Sequence, residues 1–193
     1  MKKALNLKNQ NSGWIEVICG GMFSGKTEEL IRRLRRAKIA KLSVVIFKPQ
    51  LDSRFKKEHI VSHNKTEMES ILIEDPTKIL KLAINCQVVG IDETQFFDNK
   101  IIEVCQRLVK DNKRIIIAGL DKDYQGRPFK PMPQLMAEAD YLDKLRAICT
   151  RCGSPASYSQ RITQDLEKIV LGELDKYEPR CRGCFIEPSK KQP

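Results

Sequence analysis

Short, continuous runs of apolar residues alternate along this chain with segments in which apolar residues recur every three or four positions. The runs predict buried strands at 14–19, 43–48, 87–92 and 114–119. The segments of helical spacing predict helices, of which the clearest are 28–40 and 99–112. Strands that are apolar on both faces and alternate with helices are typical of a parallel sheet that helices cover on both sides.

Weaker patterns extend the same alternation. They predict a strand at 68–73, a last strand at 141–149, and short helices that end at Ala83 and Ala139. A chain of 193 residues can bury one good core and support a small appendage. We therefore expect one main domain and one satellite.

The first predicted strand leads into a segment that fits the phosphate-binding pattern G-x-x-x-x-G-K-[ST]. The residues of this loop are Gly20, Gly21, Met22, Phe23, Ser24, Gly25, Lys26 and Thr27. The pattern requires a strand before it and a helix after it, and its glycines let successive backbone N–H groups converge on an anion. We expect Lys26 to reach the β- and γ-phosphates of a nucleotide and Thr27 to offer its hydroxyl to Mg²⁺.

The third predicted strand ends in an acid, Asp92, and the next residues are Glu93, Thr94 and Gln95. A carboxylate at a strand end can hold the Mg²⁺ of a nucleotide from the side opposite the loop, so we assign these four residues to an ATP site. Glu93 is expected to orient the attacking oxygen. The pattern leaves open whether that oxygen belongs to water, as in an ATPase, or to a substrate hydroxyl, as in a kinase.

Two C-x-x-C pairs occur near the carboxyl end, Cys149 with Cys152 and Cys181 with Cys184. Four thiolates can close a tetrahedral shell around Zn²⁺, and a site with four protein ligands has no open position, so we predict a structural zinc. A redox-active pair is the alternative, but the presence of two pairs favours the metal. The intervening segment, 153–180, is longer than a common zinc spacing, so part of it should project as a loop.

Composition excludes several classes of protein. The chain is 41 % hydrophobic and 31 % charged, which is typical of a globular protein and not of a disordered one. No run approaches the roughly 18 apolar residues that span a bilayer, and the basic start lacks the apolar core of a signal peptide, so we expect a cytoplasmic protein without a membrane partner. The net charge of +10 favours anionic partners but does not choose among them.

The order and spacing of five motifs carry a family resemblance. They are the phosphate-binding loop, Lys48-Pro49-x-x-Asp52-x-Arg54, Ile91-Asp92-Glu93-x-Gln95-Phe96-Phe97, Gly119-Leu120-Asp121-x-Asp123-Tyr124-x-Gly126-Arg127-Pro128-Phe129, and the paired cysteines. Together they cover about 14–184, and this part of the chain resembles the cytosolic, type II thymidine kinase family. The resemblance implies an α/β fold of the RecA-like P-loop NTPase type, a parallel sheet with helices on both faces, joined to a small zinc-binding lasso domain. It also implies a homotetramer.

The same resemblance implies the reaction, in which the γ-phosphoryl group of ATP moves to the 5′-hydroxyl of thymidine in nucleotide salvage for DNA synthesis. The catalytic residues implied by motif position are the general base Glu93, the phosphate clamp Lys26, and two arginines that offset phosphate charge, Arg54 and Arg161. Magnesium would be held by Thr27 and Asp92. Asp52 would help to organise the loop that carries Arg54.

The resemblance further implies a nucleoside pocket with a lid. Its residues would be Met22, Phe96, Leu120, Tyr124, Ser159, Val170 and Tyr177. A lasso at 161–177 would close over the base. Main-chain groups near Ser159, Val170 and Tyr177 would recognise thymine. This chain departs from the family at Glu173, where a second glycine is usual, and at Phe185, where histidine is frequent. The departures bear on loop detail and substrate breadth and leave the catalytic groups intact.

These interpretations divide the chain into four parts. We expect a flexible arm at 1–13, a P-loop domain at 14–146, a zinc-ribbon and lasso domain at 147–186, and a disordered basic tail at 187–193.

Two other functions compete with the kinase. A zinc-ribbon ATPase that acts on nucleic acid would suit the charge of +10, but it needs aromatic stacking platforms, and aromatic residues are only 6 % of the chain. Several of them cluster near the presumed nucleoside site, so we expect no nucleic-acid partner. A zinc-stabilised binding module with a degenerate loop would leave Lys26, Asp92 and Glu93 unexplained.

Overall fold

The computed structural model describes residues 12–50, 59–61, 67–163 and 176–186. Its strands are β1 (Trp14–Gly20), β2 (Val44–Pro49), β3 (His59–Val61), β4 (Glu67–Glu69), β5 (Ile71–Ile73), β6 (Val88–Ile91), β7 (Arg114–Leu120), β8 (Tyr141–Leu145), β9 (Ala147–Ile148), β10 (Pro155–Ala156), β11 (Tyr158–Arg161) and β12 (Tyr177–Arg180). Its helices are α1 (Lys26–Ile39), α2 (Lys78–Leu82), α3 (Lys100–Lys110) and α4 (Met132–Glu138), with a 3₁₀ turn at Thr94–Phe96. Within these ranges, no helix has the length and apolar character needed to cross a membrane.

The main sheet has six strands in the order β5-β2-β6-β7-β1-β8, and every pair of neighbours is parallel. Residues of α1 form a core with one face of the sheet, where Leu34 packs among Ile18 and Ile116. Residues of α2, α3 and α4 form a second core with the other face, around Val17 and Ile117. Alternate side chains of each apolar run therefore supply opposite cores. The predicted α/β fold, a parallel sheet with helices on both faces, is confirmed.

The carboxyl ends of three neighbouring strands bring the predicted motifs to one edge of the sheet. β7 lies between β6 and β1, and its last residue, Leu120, is in register with Gly20 of β1. The phosphate-binding loop follows β1, Asp92 follows β6, and the loop 121–129 follows β7. Ligands of open α/β sheets bind at this edge.

The prediction of one continuous strand at 141–149 is wrong, because β8 ends before Arg146 and β9 begins after it. β8 pairs with β1 at the edge of the main sheet, whereas β9 pairs antiparallel with β10. β11 and β12 form another antiparallel pair beside them. The predicted strand at 68–73 is likewise divided, since β4 pairs with β3 and β5 pairs with β2. Apolar spacing alone does not show where a chain changes its pairing partner.

Several predicted features lie outside the described residues. They are Asp52, Arg54, residues 164–175 of the lasso with Val170 and Glu173, the tail at 187–193 and residues 1–11 of the arm.

Candidate active site

The phosphate-binding loop curls through two residues with left-handed backbone angles. Phe23 has φ 63° and Gly25 has φ 80°, and α1 begins at the next residue. The Oγ of Ser24 donates a hydrogen bond of 2.8 Å to the carbonyl oxygen of Gly21, and the Nζ of Lys26 donates one of 2.7 Å to the same oxygen. The ammonium group of Lys26 therefore lies against the loop, at the amino end of a helix whose dipole favours anions.

Thr27 and Asp92 face each other across the end of the sheet. The Oγ1 of Thr27 lies 3.2 Å from Oδ2 and 3.5 Å from Oδ1 of Asp92, and the backbone N–H of Glu93 donates to Oδ1 at 3.0 Å. One hydroxyl and one carboxylate that converge in this way are oxygen ligands of the kind that Mg²⁺ prefers. The donor set fits the predicted magnesium position.

Burial disfavours the charged forms of Asp92 and Lys26 at this edge of the sheet. Burial raises the pKa of Asp92 to about 7, and the adjacent charge of Glu93 acts in the same direction, against the opposing charges of Lys48 and Lys26. Burial also lowers the pKa of Lys26, although Glu93 and Asp92 act to raise it. Both shifts have one cause, since burial favours the neutral form of a carboxyl group and of an amine. A bound divalent cation would stabilise the carboxylates that the protein alone leaves poorly compensated.

Glu93 occupies an unusual backbone conformation. Its φ of 50° and ψ of 37° are left-handed, which costs an L-residue about 1–2 kcal/mol. The Nε2 of Gln95 donates a hydrogen bond of 2.6 Å to its Oε2. Left-handed non-glycine residues concentrate at functional sites, where the surrounding structure maintains them. Glu93 itself is half-buried, whereas the side chains of Thr94 and Gln95 are buried.

Aromatic side chains that follow β6 and β7 make close contacts. The rings of Phe96 and Phe129 meet edge to face with centroids 5.8 Å apart. The guanidinium of Arg161 lies 3.6 Å from the centroid of the Tyr124 ring and donates to the Oη of Tyr177 at 2.8 Å. Arg161, predicted to offset phosphate charge, therefore contacts two residues of the predicted nucleoside pocket.

A hydrogen bond joins the phosphate-binding loop to the cysteine-bearing part of the chain. The backbone N–H of Met22 donates to the Oγ of Ser159, on β11, at 2.9 Å. Leu120 lies at the end of β7 and is half-buried, as are Met22, Phe96 and Tyr124. The described members of the predicted nucleoside pocket thus come from the phosphate-binding loop, the 3₁₀ turn after β6, the end of β7 with the loop that follows it, and the strands β11 and β12.

The four predicted metal ligands come together. The sulfur atoms of Cys149, Cys152, Cys181 and Cys184 all lie within 4.8 Å of one another, and those of Cys152 and Cys181 are 3.6 Å apart. Tetrahedral Zn–S bonds of about 2.3 Å would hold sulfurs roughly 3.8 Å apart, so the cluster has the size of a zinc site. These four cysteines could hold a metal ion.

The thiols of this cluster compete for protons. Burial tends to raise the pKa of Cys149, but backbone N–H groups of Cys181, Arg151 and Cys152 lower it to about 6. Hydrogen bonds to Cys152 and Cys181 raise the pKa of Cys184 to about 12. Four adjacent thiolates repel one another, and a cation at their centre would remove that conflict.

Sequence analysis missed two groups of charged residues. Glu16, in the middle of β1, accepts hydrogen bonds from Arg33 and Arg114, and Arg33 also reaches Asp143. At the active-site edge, the buried Asp121 pairs with Lys144 at 2.6 Å. The sequence does hold a signal for each group: Glu16 is an acid inside an apolar strand, and Asp121 is an acid directly after one.

These features define a class of protein: a P-loop nucleotide-binding α/β domain that carries a four-cysteine cluster able to hold a metal. Comparison with known proteins specifies the family. The thymidine kinase family model matches residues 13–185. The chain belongs to the thymidine kinase family, as the sequence motifs predicted.

The similarity extends over most of the chain. It is 57 % identical to the thymidine kinase of Rhodothermus sp. (strain ITI 518), over 91 % of this chain and 83 % of that protein. The thymidine kinase of Bacteroides thetaiotaomicron is 50 % identical over 93 % of this chain and 90 % of its own length. That of Porphyromonas gingivalis (strain ATCC 33277) is 52 % identical over 90 % and 85 %.

Proposed function

We propose that this protein transfers the γ-phosphoryl group of ATP to the 5′-hydroxyl of thymidine, giving ADP and thymidine monophosphate for nucleotide salvage. The observation that carries the proposal is the convergence of Lys26, Thr27, Asp92 and Glu93 at the ends of β1 and β6 in a member of the thymidine kinase family. Phosphoryl transfer requires an aligned acceptor and neutralised phosphate charge, and this combination of residues can supply both.

Each residue has a proposed role. Lys26 binds the β- and γ-phosphates, and it would exchange the Gly21 carbonyl for phosphate oxygens. Thr27 and Asp92 hold Mg²⁺, which supplies neutralisation of phosphate charge. Glu93 accepts the proton of the 5′-hydroxyl as general base. Arg161 and Arg54 offset charge on the transferred group.

The proposed nucleoside pocket lies beside Glu93. The rings of Phe96 and Tyr124 would form its walls with Met22 and Leu120, while main-chain groups near Ser159, Val170 and Tyr177 read the base. The hydrogen bond from Met22 to Ser159 supports this proposal, because it joins the ATP-binding loop directly to the strand that leads into the lasso. The residues that bind ATP and those that bind thymidine would then be joined by this hydrogen bond.

We infer that the cysteine cluster holds one structural Zn²⁺. A small core of Ala147, Cys149 and Ala156, with Cys181, Cys184 and Phe23 of the phosphate-binding loop packed against it, supports a division of the chain into a domain at 14–146 and another at 147–186. A homotetramer and a cytoplasmic location complete the proposal. Light scattering after size exclusion tests the assembly state, and a monomer would contradict it.

One assay tests the reaction. The purified protein is incubated with γ-labelled ATP, Mg²⁺ and a panel of nucleosides, with single-stranded DNA as a separate addition. We expect label in thymidine monophosphate, lost in Lys26→Ala and retained in a matched control at an exposed lysine, Lys100→Ala. Release of labelled phosphate only when DNA is added would instead identify the rival ATPase.

A second experiment tests the zinc. Elemental analysis should find about one zinc per chain, because four thiolates complete one tetrahedral shell. Cys149→Ser should lose the metal, and with it both thermal stability and affinity for thymidine. A Cys149→Ser variant with the wild-type KM for thymidine would contradict the proposed coupling between the metal and the nucleoside pocket.

A further inference from the structure

Gln95 is the buried link between Glu93 and the end of β7. The side chain is only 2 % exposed, so its amide must find partners within the protein. Its Oε1 accepts a hydrogen bond of 2.9 Å from the backbone N–H of Leu120, and its Nε2 donates one of 2.6 Å to the Oε2 of Glu93. The amide thus joins a rigid strand to the carboxylate at the reacting edge.

The orientation of this amide follows from its partners. A backbone N–H can only donate, so the oxygen of the Gln95 amide faces Leu120 and the nitrogen faces Glu93. A Cβ on Gly119 would lie 3.0 Å from that oxygen and 2.7 Å from the Sδ of Met132. A side chain at position 119 would therefore crowd the Gln95 amide, and Gly119 lets the amide pack closely against β7.

The hydrogen bond to Oε2 restricts the carboxylate of Glu93. A glutamate side chain has three rotatable bonds, and at a half-buried position it would otherwise sample several rotamers. Within the described part of the chain, no residue hydrogen-bonds the other oxygen, Oε1. One carboxylate oxygen is thus fixed by Gln95, and the second is left for an incoming hydroxyl.

We propose that Gln95 is a positioning residue for the phosphoryl transfer: its amide, fixed by the backbone of Leu120, holds the carboxylate of Glu93 in the orientation that accepts the proton of the substrate hydroxyl. The inference rests on the proposed function, in which Glu93 is the general base. Gln95 was assigned above to the ATP site from its sequence position. The role proposed here is on the acceptor side, through Glu93.

Gln95→Met tests this role, since methionine keeps the length of the side chain and removes both hydrogen bonds. We expect kcat to fall about 10- to 100-fold, the effect of a catalytic group that is displaced by up to an ångström. The KM values for ATP and thymidine should change less than about threefold, because ground-state contacts persist. Gln134→Met is the matched control: it removes an amide–carboxylate hydrogen bond to Glu138 on the exposed surface of α4 and should leave kcat unchanged.

The double variant distinguishes positioning from a general structural role. If Gln95 acts only through Glu93, Gln95→Met should have no further effect on kcat in a Glu93→Gln background. Multiplicative losses in the double variant, or a folded Gln95→Met enzyme with wild-type kcat, would overturn the inference. Gln95→Glu covers the case in which methionine prevents folding: it keeps the acceptor for Leu120, sets a second carboxylate against Glu93, and should also lower kcat.

The same measurements separate this inference from the proposed function. If Glu93→Gln loses kcat while Gln95→Met keeps it, Glu93 remains the base and the positioning role is wrong. If Glu93→Gln itself keeps wild-type kcat, the proposed role of Glu93 is wrong and the inference fails with it.

Discussion

Two clusters of buried charge lie on the same sheet and differ in how completely the protein compensates them. In the Glu16 cluster (Trp14, Glu16, Arg33, Arg114 and Asp143), Glu16 accepts hydrogen bonds from the Trp14 indole at 2.9 Å, from Arg114 at 2.6 Å and from Arg33 at 2.8 Å. In the acidic pair, Asp92 and Glu93, two carboxylates are adjacent in sequence and the cations that act on Asp92 are lysines. Glu16 lies within β1, whereas Asp92 and Glu93 follow the carboxyl end of β6.

The titration of the two acids reflects this difference. Burial alone would raise the pKa of Glu16, but the hydrogen bond and charge of Arg114, the hydrogen bond of the Trp14 indole and the charge of Arg33 lower it below its usual value. Burial raises the pKa of Asp92 to about 7, and its neighbour acts in the same direction. Removing one partner from a cluster that the protein completes leaves a buried charge uncompensated and destabilises the fold, whereas a cluster that it leaves incomplete is suited to a charged ligand. This contrast predicts opposite responses to mutation.

The largest effect is expected at the incomplete cluster. Glu93→Gln should lower kcat by about 10² to 10⁴, the usual loss for a missing general base, while ATP binding persists. Its free energy of unfolding should stay near that of the wild type, because Glu93 is half-buried and its charge, which favours the charged form of Lys26, disfavours that of Asp92. Kinetics, nucleotide titration and urea unfolding measure the three quantities.

Glu103→Gln, at an exposed position of α3, is the matched control for that variant. It should leave all three quantities unchanged. A Glu93→Gln enzyme that turns over at the wild-type rate would remove Glu93 from the chemistry, and one that unfolds easily would make the acidic pair a structural cluster like that of Glu16.

Glu16→Gln should have the reverse pattern. Removal of one partner from a buried ion cluster leaves two guanidinium groups partly uncompensated, so we expect the free energy of unfolding to fall by about 3 kcal/mol at pH 7. The kcat should be unchanged at temperatures where the variant is folded. Because the pKa of Glu16 is lowered in the folded state, its stabilisation is present above the unfolded pKa of about 4.3 and is lost as the pH falls through the folded pKa.

The difference in unfolding free energy between wild type and Glu16→Gln should therefore shrink in acid. Urea unfolding at pH 7 and below pH 4 measures it. A difference that grows as the pH falls would show that the carboxylate of Glu16 is not stabilised by its arginines.

Asp92→Asn should stabilise the protein when Mg²⁺ and nucleotide are absent. The folded pKa of Asp92, about 7, lies above the unfolded value, so between these values the folded state keeps a proton that the unfolded state has lost, and stability declines as the pH rises toward 7. An amide carries no charge and avoids this decline. We expect the substitution to add on the order of 2 kcal/mol at pH 8 and much less at pH 5.

Unfolding curves at these two pH values, with chelator present, test that prediction. The kinase activity of Asp92→Asn should be lost, which gives a variant that is more stable and less active. A variant that is less stable than the wild type at pH 8 would mean that Asp92 is compensated in the free protein.

The sequence could predict the features that depend on neighbouring residues, but not those that depend on contacts between distant ones. Strands β1, β2, β6 and β7 agree with the prediction to within about two residues, because strands buried on both faces leave continuous apolar runs. The phosphate-binding loop, Asp92 and the cysteines are recognisable because each motif is local. The partners of Glu16 are not, since Arg114 is 98 residues away along the chain. The proposed role of Gln95 is hidden for a related reason: sequence gives its position after β6 but not the side-chain geometry that joins it to Leu120.

The smallest effect is expected at Arg32, which immediately precedes the arginine of the Glu16 cluster on α1. Arg32 forms two short hydrogen bonds to Glu29, of 2.6 and 2.7 Å, comparable to those of Arg33. However, its side chain is 59 % exposed, against 11 % for Arg33, so water solvates its charge almost as well as Glu29 does. Arg32→Ala should therefore lower the free energy of unfolding by less than about 1 kcal/mol, and by still less in roughly 0.5 M salt. A loss as large as that of Glu16→Gln would mean that contact distance, and not burial, decides which charge pairs stabilise this sheet.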